Sequence, residues 1–149
     1  MKAVRNPTFA EDVRATFAAQ GALRLVGAEI VLLEPGHCRL HVPFSDAVGQ
    51  HHGYFHGGVI GLIADTAGGL AAMSLCESGV DVLTVEYKIN FLTPARGVAL
   101  VAAGHVVRSG RTLLVTRMEV DAVDASGNGA CCAVGQQTIM AVPRERFGR

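Results

Sequence analysis

The 149-residue sequence predicts an α+β domain, an antiparallel β-sheet wrapped around one long central helix, with a short helix ahead of it. Three observations predict this. Residues 57–77 are small or apolar nearly throughout, a composition that suits a helix enclosed on most sides. Two strand-like runs precede that helix and four follow it. The connections are short and rich in Gly, Pro, Ser and Asn, as antiparallel hairpins require.

The elements follow in order. Thr8, Phe9, Ala10 and Glu11 have the spacing of a capping box and open a helix that runs to about Gln20. Phe9, Val13 and Phe17 form its apolar stripe, and Gly21 is its expected stop. Residues 23–33 and 38–43 read as strands joined by the turn Glu34-Pro35-Gly36. Residues 44–56 form a polar loop containing His and Gly. The long helix then runs from about Gly57 to Glu77, with Ser78-Gly79 ending it.

In residues 80–92, alternation puts Val85, Tyr87, Ile89 and Phe91 on one face and Thr84, Glu86, Lys88 and Asn90 on the other. Pro94-Ala95-Arg96-Gly97 makes a turn. Strands at 98–107, 112–123 and 130–142 follow, joined at 109–111 and 125–128. The expected organisation is one domain over 1–149: a helical segment at 1–21, a core at 22–142 and a tail at 143–149.

Composition narrows the function classes. Half the residues are hydrophobic and 17% are charged, which favours a homo-oligomer. Thirteen basic residues balance thirteen acidic ones, with no basic run, so a nucleic-acid partner is not expected. Cys38, Cys76, Cys131 and Cys132 contain no Cys-x-x-Cys pair and read as small buried hydrophobes of a reducing, cytoplasmic compartment. No apolar segment follows the first seven residues, so no signal peptide is expected. Residues 59–75 are apolar but contain Asp65 and lack a basic flank, which reads as a buried helix and not a membrane span.

The motif that carries chemistry runs from Gly53 to Asp65. His56-Gly57-Gly58 stands at the mouth of the long helix, where unpaired backbone N–H groups and the helix dipole favour a negative oxygen. A carboxylate inside an apolar helix is costly unless it is paired or used. A donor cradle and such a carboxylate together point to acyl chemistry.

This stretch resembles the hotdog-fold acyl-CoA thioesterases, and within them the PaaI-like family. The strand 84–95, with its Asn90-Phe91-Leu92-Thr93-Pro94 run, and the turn Arg108-Ser109-Gly110-Arg111 resemble that family in the same order. The resemblance covers about residues 22–142. It implies a hotdog fold, homodimers or homotetramers, hydrolysis of an acyl-CoA thioester, and no metal or other cofactor beyond the CoA of the substrate.

The resemblance assigns roles by position. Asp65 is the nucleophile or general base. Gly57 N–H is the oxyanion donor, and Gly58 lies beside it. His56 braces the loop. Gln50 stands where family members carry Asn and would help orient a water or the carbonyl. Thr84 would hold the water or the carboxylate. The alternative for Asp65 is a structural one, a bond to a neighbouring hydroxyl such as that of Thr66. Arg108, Ser109, Gly110 and Arg111 are candidates for the CoA phosphates, and Tyr54, Phe55, Leu62 and Met73 for the acyl slot. A metal site from His51, His52, His56 and Asp65 has no familiar ligand spacing. A hydratase or dehydratase on the same fold, and a non-catalytic acyl-CoA-binding module, are the competing functions.

Spacing adds one inference. Gly57 and Asp65 are eight residues apart, roughly 12 Å along one helix. Both must come within about 3 Å of one reacting group. Two antiparallel helices from two protomers meet that demand, so the site is expected to be shared across a dimer interface.

Overall fold

A computed structural model describes residues 4–148. Met1, Lys2, Ala3 and Arg149 lie outside the described residues, and with them the start of the segment read for a signal peptide and the end of the tail. Six strands form one sheet in the order β1-β2-β4-β5-β6-β3, every neighbouring pair antiparallel. They are β1 (Glu29–Glu34), β2 (His37–Pro43), β3 (Val80–Phe91), β4 (Ala99–Ser109), β5 (Leu113–Val123) and β6 (Gly129–Pro143). The helices are α1 (Phe9–Ala19), α2 (Gly21–Leu25) and α3 (Gly57–Met73). This is the hotdog arrangement, with α3 in the concavity of the sheet. No helix among the described residues is long and apolar enough to cross a membrane.

Alternation along the strands builds the concave face. Cys38, Leu40 and Val42 of β2, Leu100, Ala102 and Val106 of β4, and Leu114, Met118 and Val120 of β5 are all buried. The helix meets them through Ile60, Ile63, Ala64, Ala67, Leu70 and Ala71. Small residues set its depth. A Cβ at Gly104 of β4 would run into the Ala67 backbone, so only Gly lets helix and sheet come this close.

Several elements depart from the expectations. The capping box does not form: the Thr8 side chain makes no cap bond. Instead, Thr8 N–H and Oγ1 both donate to Asn6 Oδ1, at 3.0 and 2.9 Å, and Asn6 Nδ2 donates to Asp12 Oδ2 at 2.8 Å. Asn6 thus ties the first turn from outside the helix. Gly21 does not end the helical segment but opens α2, whose Leu23 is buried, so β1 begins six residues later than residue 23. The long helix stops at Met73, earlier than Glu77. Ser74 caps it by donating to Ala71 O at 2.6 Å, and its hydroxyl accepts Gly36 N–H at 2.7 Å. Gly36 is the left-handed residue of the β1–β2 turn, at φ 77°. A 3₁₀ turn over Arg144–Phe147 stands where a tail was expected.

The departure that matters most to function is in β3. Thr84 pairs with Ile139 and Glu86 with Thr138, which leaves Val85 as an extra, bulged residue. Strict alternation would put Thr84 on the face opposite Tyr87. The bulge resets the frame, so Thr84 shares the helix-facing side with Tyr87, Ile89 and Phe91, whose partners on β6 are Ile139, Gln137, Gly135 and Ala133. Cys38, Cys76 and Cys132 are buried as expected, but Cys131 is exposed, because adjacent residues of a strand point to opposite faces.

Candidate active site

The loop before α3 is pinned at two buried residues, Val48 and Phe55. Phe55 packs edge-on to Phe44 at 5.0 Å and donates its N–H to Ala95 O at 3.0 Å. Between the pins, Gln50 N–H donates to Tyr54 O and Gly53 N–H to Gln50 O, a tight turn with Gly53 at φ 76°. The chain then enters the helix at His56. With extended dihedrals (φ −68°, ψ 135°), His56 is the N-cap, and its Nδ1 accepts Gly58 N–H at 2.9 Å.

This cap sorts the two glycines. The Gly58 N–H is spent on His56. Among the described residues no acceptor is paired with the Gly57 N–H, which remains the open donor at the positive end of α3. Gly57, Tyr54, Phe55 and Phe91 border a cavity of about 350 Å³.

Asp65 sits two turns further along the helix, half-buried. Thr84 Oγ1 donates to its Oδ1 at 2.7 Å, and Gln137 Nε2 donates to the same oxygen at 2.7 Å. Gln137 Nε2 also lies 3.1 Å from the Asp65 carbonyl and 3.2 Å from Thr84 Oγ1. The other end of the amide, Gln137 Oε1, accepts Thr116 Oγ1 at 2.7 Å. Gln137 and Thr116 are directly opposed on β6 and β5, and both are fully buried.

The consequence is a carboxylate with one oxygen fixed and one spare. Oδ2 has no partner among the described residues. It is positioned to take a proton from a water or to approach an electrophilic carbon. Thr66 is not the neighbour that Asp65 bonds: Thr66 Oγ1 donates back to Leu62 O at 2.8 Å, and the hydroxyl on the carboxylate is that of Thr84.

Gln137 was not singled out in the sequence, although a signal was present. It falls in phase with Ala133 and Ile139 on the buried face of a strand, where a lone amide needs a partner. Thr116 is likewise in phase with Leu114, Met118 and Val120. Gly68 completes the arrangement, because a Cβ there would collide with the Gln137 amide.

Within one chain the predicted residues form separate groups. Asp65 and Thr84 border a cavity of about 610 Å³ that Gly57 does not touch. Gln50 stays with its own loop, where its Oε1 accepts His52 N–H at 2.5 Å. Ser109, Gly110 and Arg111 line a third cavity, of about 440 Å³, together with Arg5 and Arg146 at the far end of α3, whereas Arg108 stands outside its lining. Gly110 N–H closes the hairpin onto Leu113 O at 2.9 Å, so it is not an open donor. Among the acyl-slot candidates, Met73 borders the Asp65 cavity, while Tyr54 and Phe55 lie on the Gly57 side, Tyr54 under the Arg96 guanidinium. Among the described residues no group of three or more His, Cys, Asp or Glu is placed to hold a metal ion.

Comparison with known proteins gives this geometry a family. The thioesterase superfamily profile matches residues 52–126, which span the end of the site loop, all of α3 and β3 to β5. The chain belongs to the thioesterase superfamily, and members of that superfamily hydrolyse thioesters. The crystal structure of a thioesterase family protein from Silicibacter pomeroyi superposes with a TM-score of 0.88 at 39% identity, covering 91% of this chain and 98% of that one. A protein of Saccharolobus solfataricus, provisionally named an esterase, is 31% identical over 122 residues, 82% of this chain and 85% of its own length. A Listeria monocytogenes protein named 1,4-dihydroxy-2-naphthoyl-CoA hydrolase is 26% identical over 100 residues, 67% of this chain and 81% of its own.

Proposed function

We propose that the protein is a PaaI-like acyl-CoA thioesterase, a single domain whose active site is completed by a second copy of the chain. Gly57 N–H of one protomer polarises the thioester carbonyl and stabilises the developing oxyanion. Asp65 of the other protomer activates a water or attacks the carbonyl carbon directly. Thr84 and Gln137 hold that carboxylate, His56 fixes the turn that presents Gly57, and Gln50 supports the same turn. The observation that carries this reading is the division of labour along α3. An open donor and a half-fixed carboxylate stand eight residues apart and open into different cavities.

The free edge of β3 supports self-association. Leu83, Val85, Tyr87, Phe91 and Leu92 are all exposed there, an apolar strip beside α3 that a second copy would cover. Homodimer or homotetramer is the corresponding assembly. The cavity lined by Arg5, Arg111 and Arg146 suits the phosphates of CoA, with Ser109 and Gly110 on its wall. The name of the Listeria relative supports a CoA thioester as the substrate class. Cytoplasmic residence is part of the same reading, supported by the four free thiols.

A hydratase on this fold would use a His with the carboxylate, but His56 Nδ1 is committed to Gly58 N–H. The test is release of free CoA from a panel of acyl-CoAs, with hydration of an enoyl-CoA and binding of CoA measured in parallel. Thiol release with turnover is the expected result. Hydration without thiol release, or binding without either, overturns the reading.

A further inference from the structure

The cavity beside Asp65 has a shape and a chemistry that specify the acyl group. Asp65 and Thr84 line one end of it. From there it follows α3 along the i, i+4, i+8 stripe Asp65, Gly69, Met73. Leu70 and Met73 of the helix and Val82 and Leu83 of β3 border it, as does Phe147 of the 3₁₀ turn, beside the end of α1. Its volume is about 610 Å³, within the range of small-molecule pockets. A Cβ at Gly69 would meet nothing within 4 Å, so the stripe is open midway.

No cationic side chain lines this cavity. The titratable residues that line it are Asp65 and Asp81, and no Lys, Arg or His does. Asp81 accepts Arg144 Nε at 2.8 Å, a bond that ties the 3₁₀ turn to the start of β3 and thereby places Phe147, three residues on. A carboxylate at the far end of an acyl group would find no cation among the lining residues, and the Arg144 beside them is already bound to Asp81. An alkyl or aryl group would meet apolar walls.

We infer that this cavity is the acyl slot, that it takes an apolar, uncharged acyl group, and that Phe147 limits the group's length. The inference rests on the thioesterase reading and adds its substrate class. Asp65 to Met73 spans about 12 Å of helix, the reach of an extended chain of roughly eight to ten carbons.

The experiment measures kcat/KM for straight-chain acyl-CoAs from two to sixteen carbons (a series fixed by the assay), with succinyl-CoA as the anionic comparison. Wild type, Phe147→Ala and Gly69→Leu are compared. The expected wild-type profile peaks near the middle of the series, with succinyl-CoA at least about tenfold poorer than an apolar acyl group of equal length. Phe147→Ala moves the peak to longer chains by about tenfold in relative kcat/KM. Gly69→Leu moves it to shorter ones. Should Gly69→Leu alter the assembly mass, Phe147→Ala alone decides, since that side chain is 40% exposed and its loss does not open the core.

A length profile that Phe147→Ala leaves unmoved overturns the slot, as does a preference for succinyl-CoA. If wild type releases no CoA from any substrate, the thioesterase reading has failed instead. Calorimetry then still reads the slot: decanoyl-CoA must bind tighter than CoA, by a margin that Phe147→Ala reduces. Equal binding of the two ligands overturns it.

Discussion

Gln137 Nε2 donates to Asp65 Oδ1 at 2.7 Å from a side chain with no exposed surface. An amide in the core costs stability unless its partners are all in place, and here they are Asp65, Thr84 and Thr116. Gln137→Leu leaves the Thr116 hydroxyl and the carboxylate short of a partner. The expected loss is about 1–3 kcal/mol of stability, read as a lower urea midpoint. A drop in kcat larger than the change in KM would accompany it, because the carboxylate loses its aim.

Asp65→Asn keeps the shape and removes the base. We expect kcat for thiol release to fall by about 10²–10⁴-fold. Circular dichroism and assembly mass are expected to match wild type. Turnover close to wild type would remove Asp65 from the mechanism.

Gly68→Ala introduces a methyl group where the Gln137 amide already stands. In an exposed helix this exchange is stabilising; here it is expected to cost about 1–3 kcal/mol through overpacking. Gly69→Ala, one residue on and facing open space, is the control, with stability unchanged or raised. Thermal melts should place Gly68→Ala below wild type and Gly69→Ala at or above it.

His56→Ala removes the N-cap of α3 and frees the Gly58 N–H. The expected cost is about 0.5–2 kcal/mol, largely recovered by His56→Asn, which retains a capping oxygen. Retention of turnover in His56→Asn would separate the brace from a proton-transfer role. An inactive but stable His56→Asn would show that the imidazole does more than cap.

Burial pushes the Cys38 thiol up to about 12 and those of Cys76 and Cys132 up to about 11. Their folded-state values exceed the unfolded value of 9.0, so their contribution to stability is fully present below pH 9 and is lost as pH rises towards 11–12. Urea midpoints should therefore fall over that alkaline range. At pH 8, a thiol reagent should label native protein mainly at exposed Cys131, and all four cysteines after denaturation.

Much of this was legible in the sequence, for identifiable reasons. The wrapped helix was readable because residues 57–73 offer almost no polar face. The pairing of Thr84 with Asp65 was expected from the family resemblance, but alternation alone placed Thr84 on the wrong side, since a bulge leaves no mark on hydrophobic periodicity. Gln137 was missed because a polar residue in a strand reads as solvent-facing until its phase against Ala133 and Ile139 is checked. Arg108 and Arg111 looked equivalent in the hairpin, but of the two only Arg111 lines the cavity, and a bulge that periodicity does not show precedes Arg108.

The extra residue in β3 also bears on assembly. Beyond it, from Glu86 to Phe91, the strand pairs with β6 without interruption, whereas at Val85 the backbone kinks. Of the two regular stretches the bulge separates, those six positions are the longer row of donors and acceptors for a second β3 added antiparallel along the free edge. The two-fold axis of such a pair would pass between Lys88 and Ile89. One irregularity would then both aim a hydroxyl and limit how far two copies can slide past each other, coupling the register of the assembly to the distance between its reactive groups.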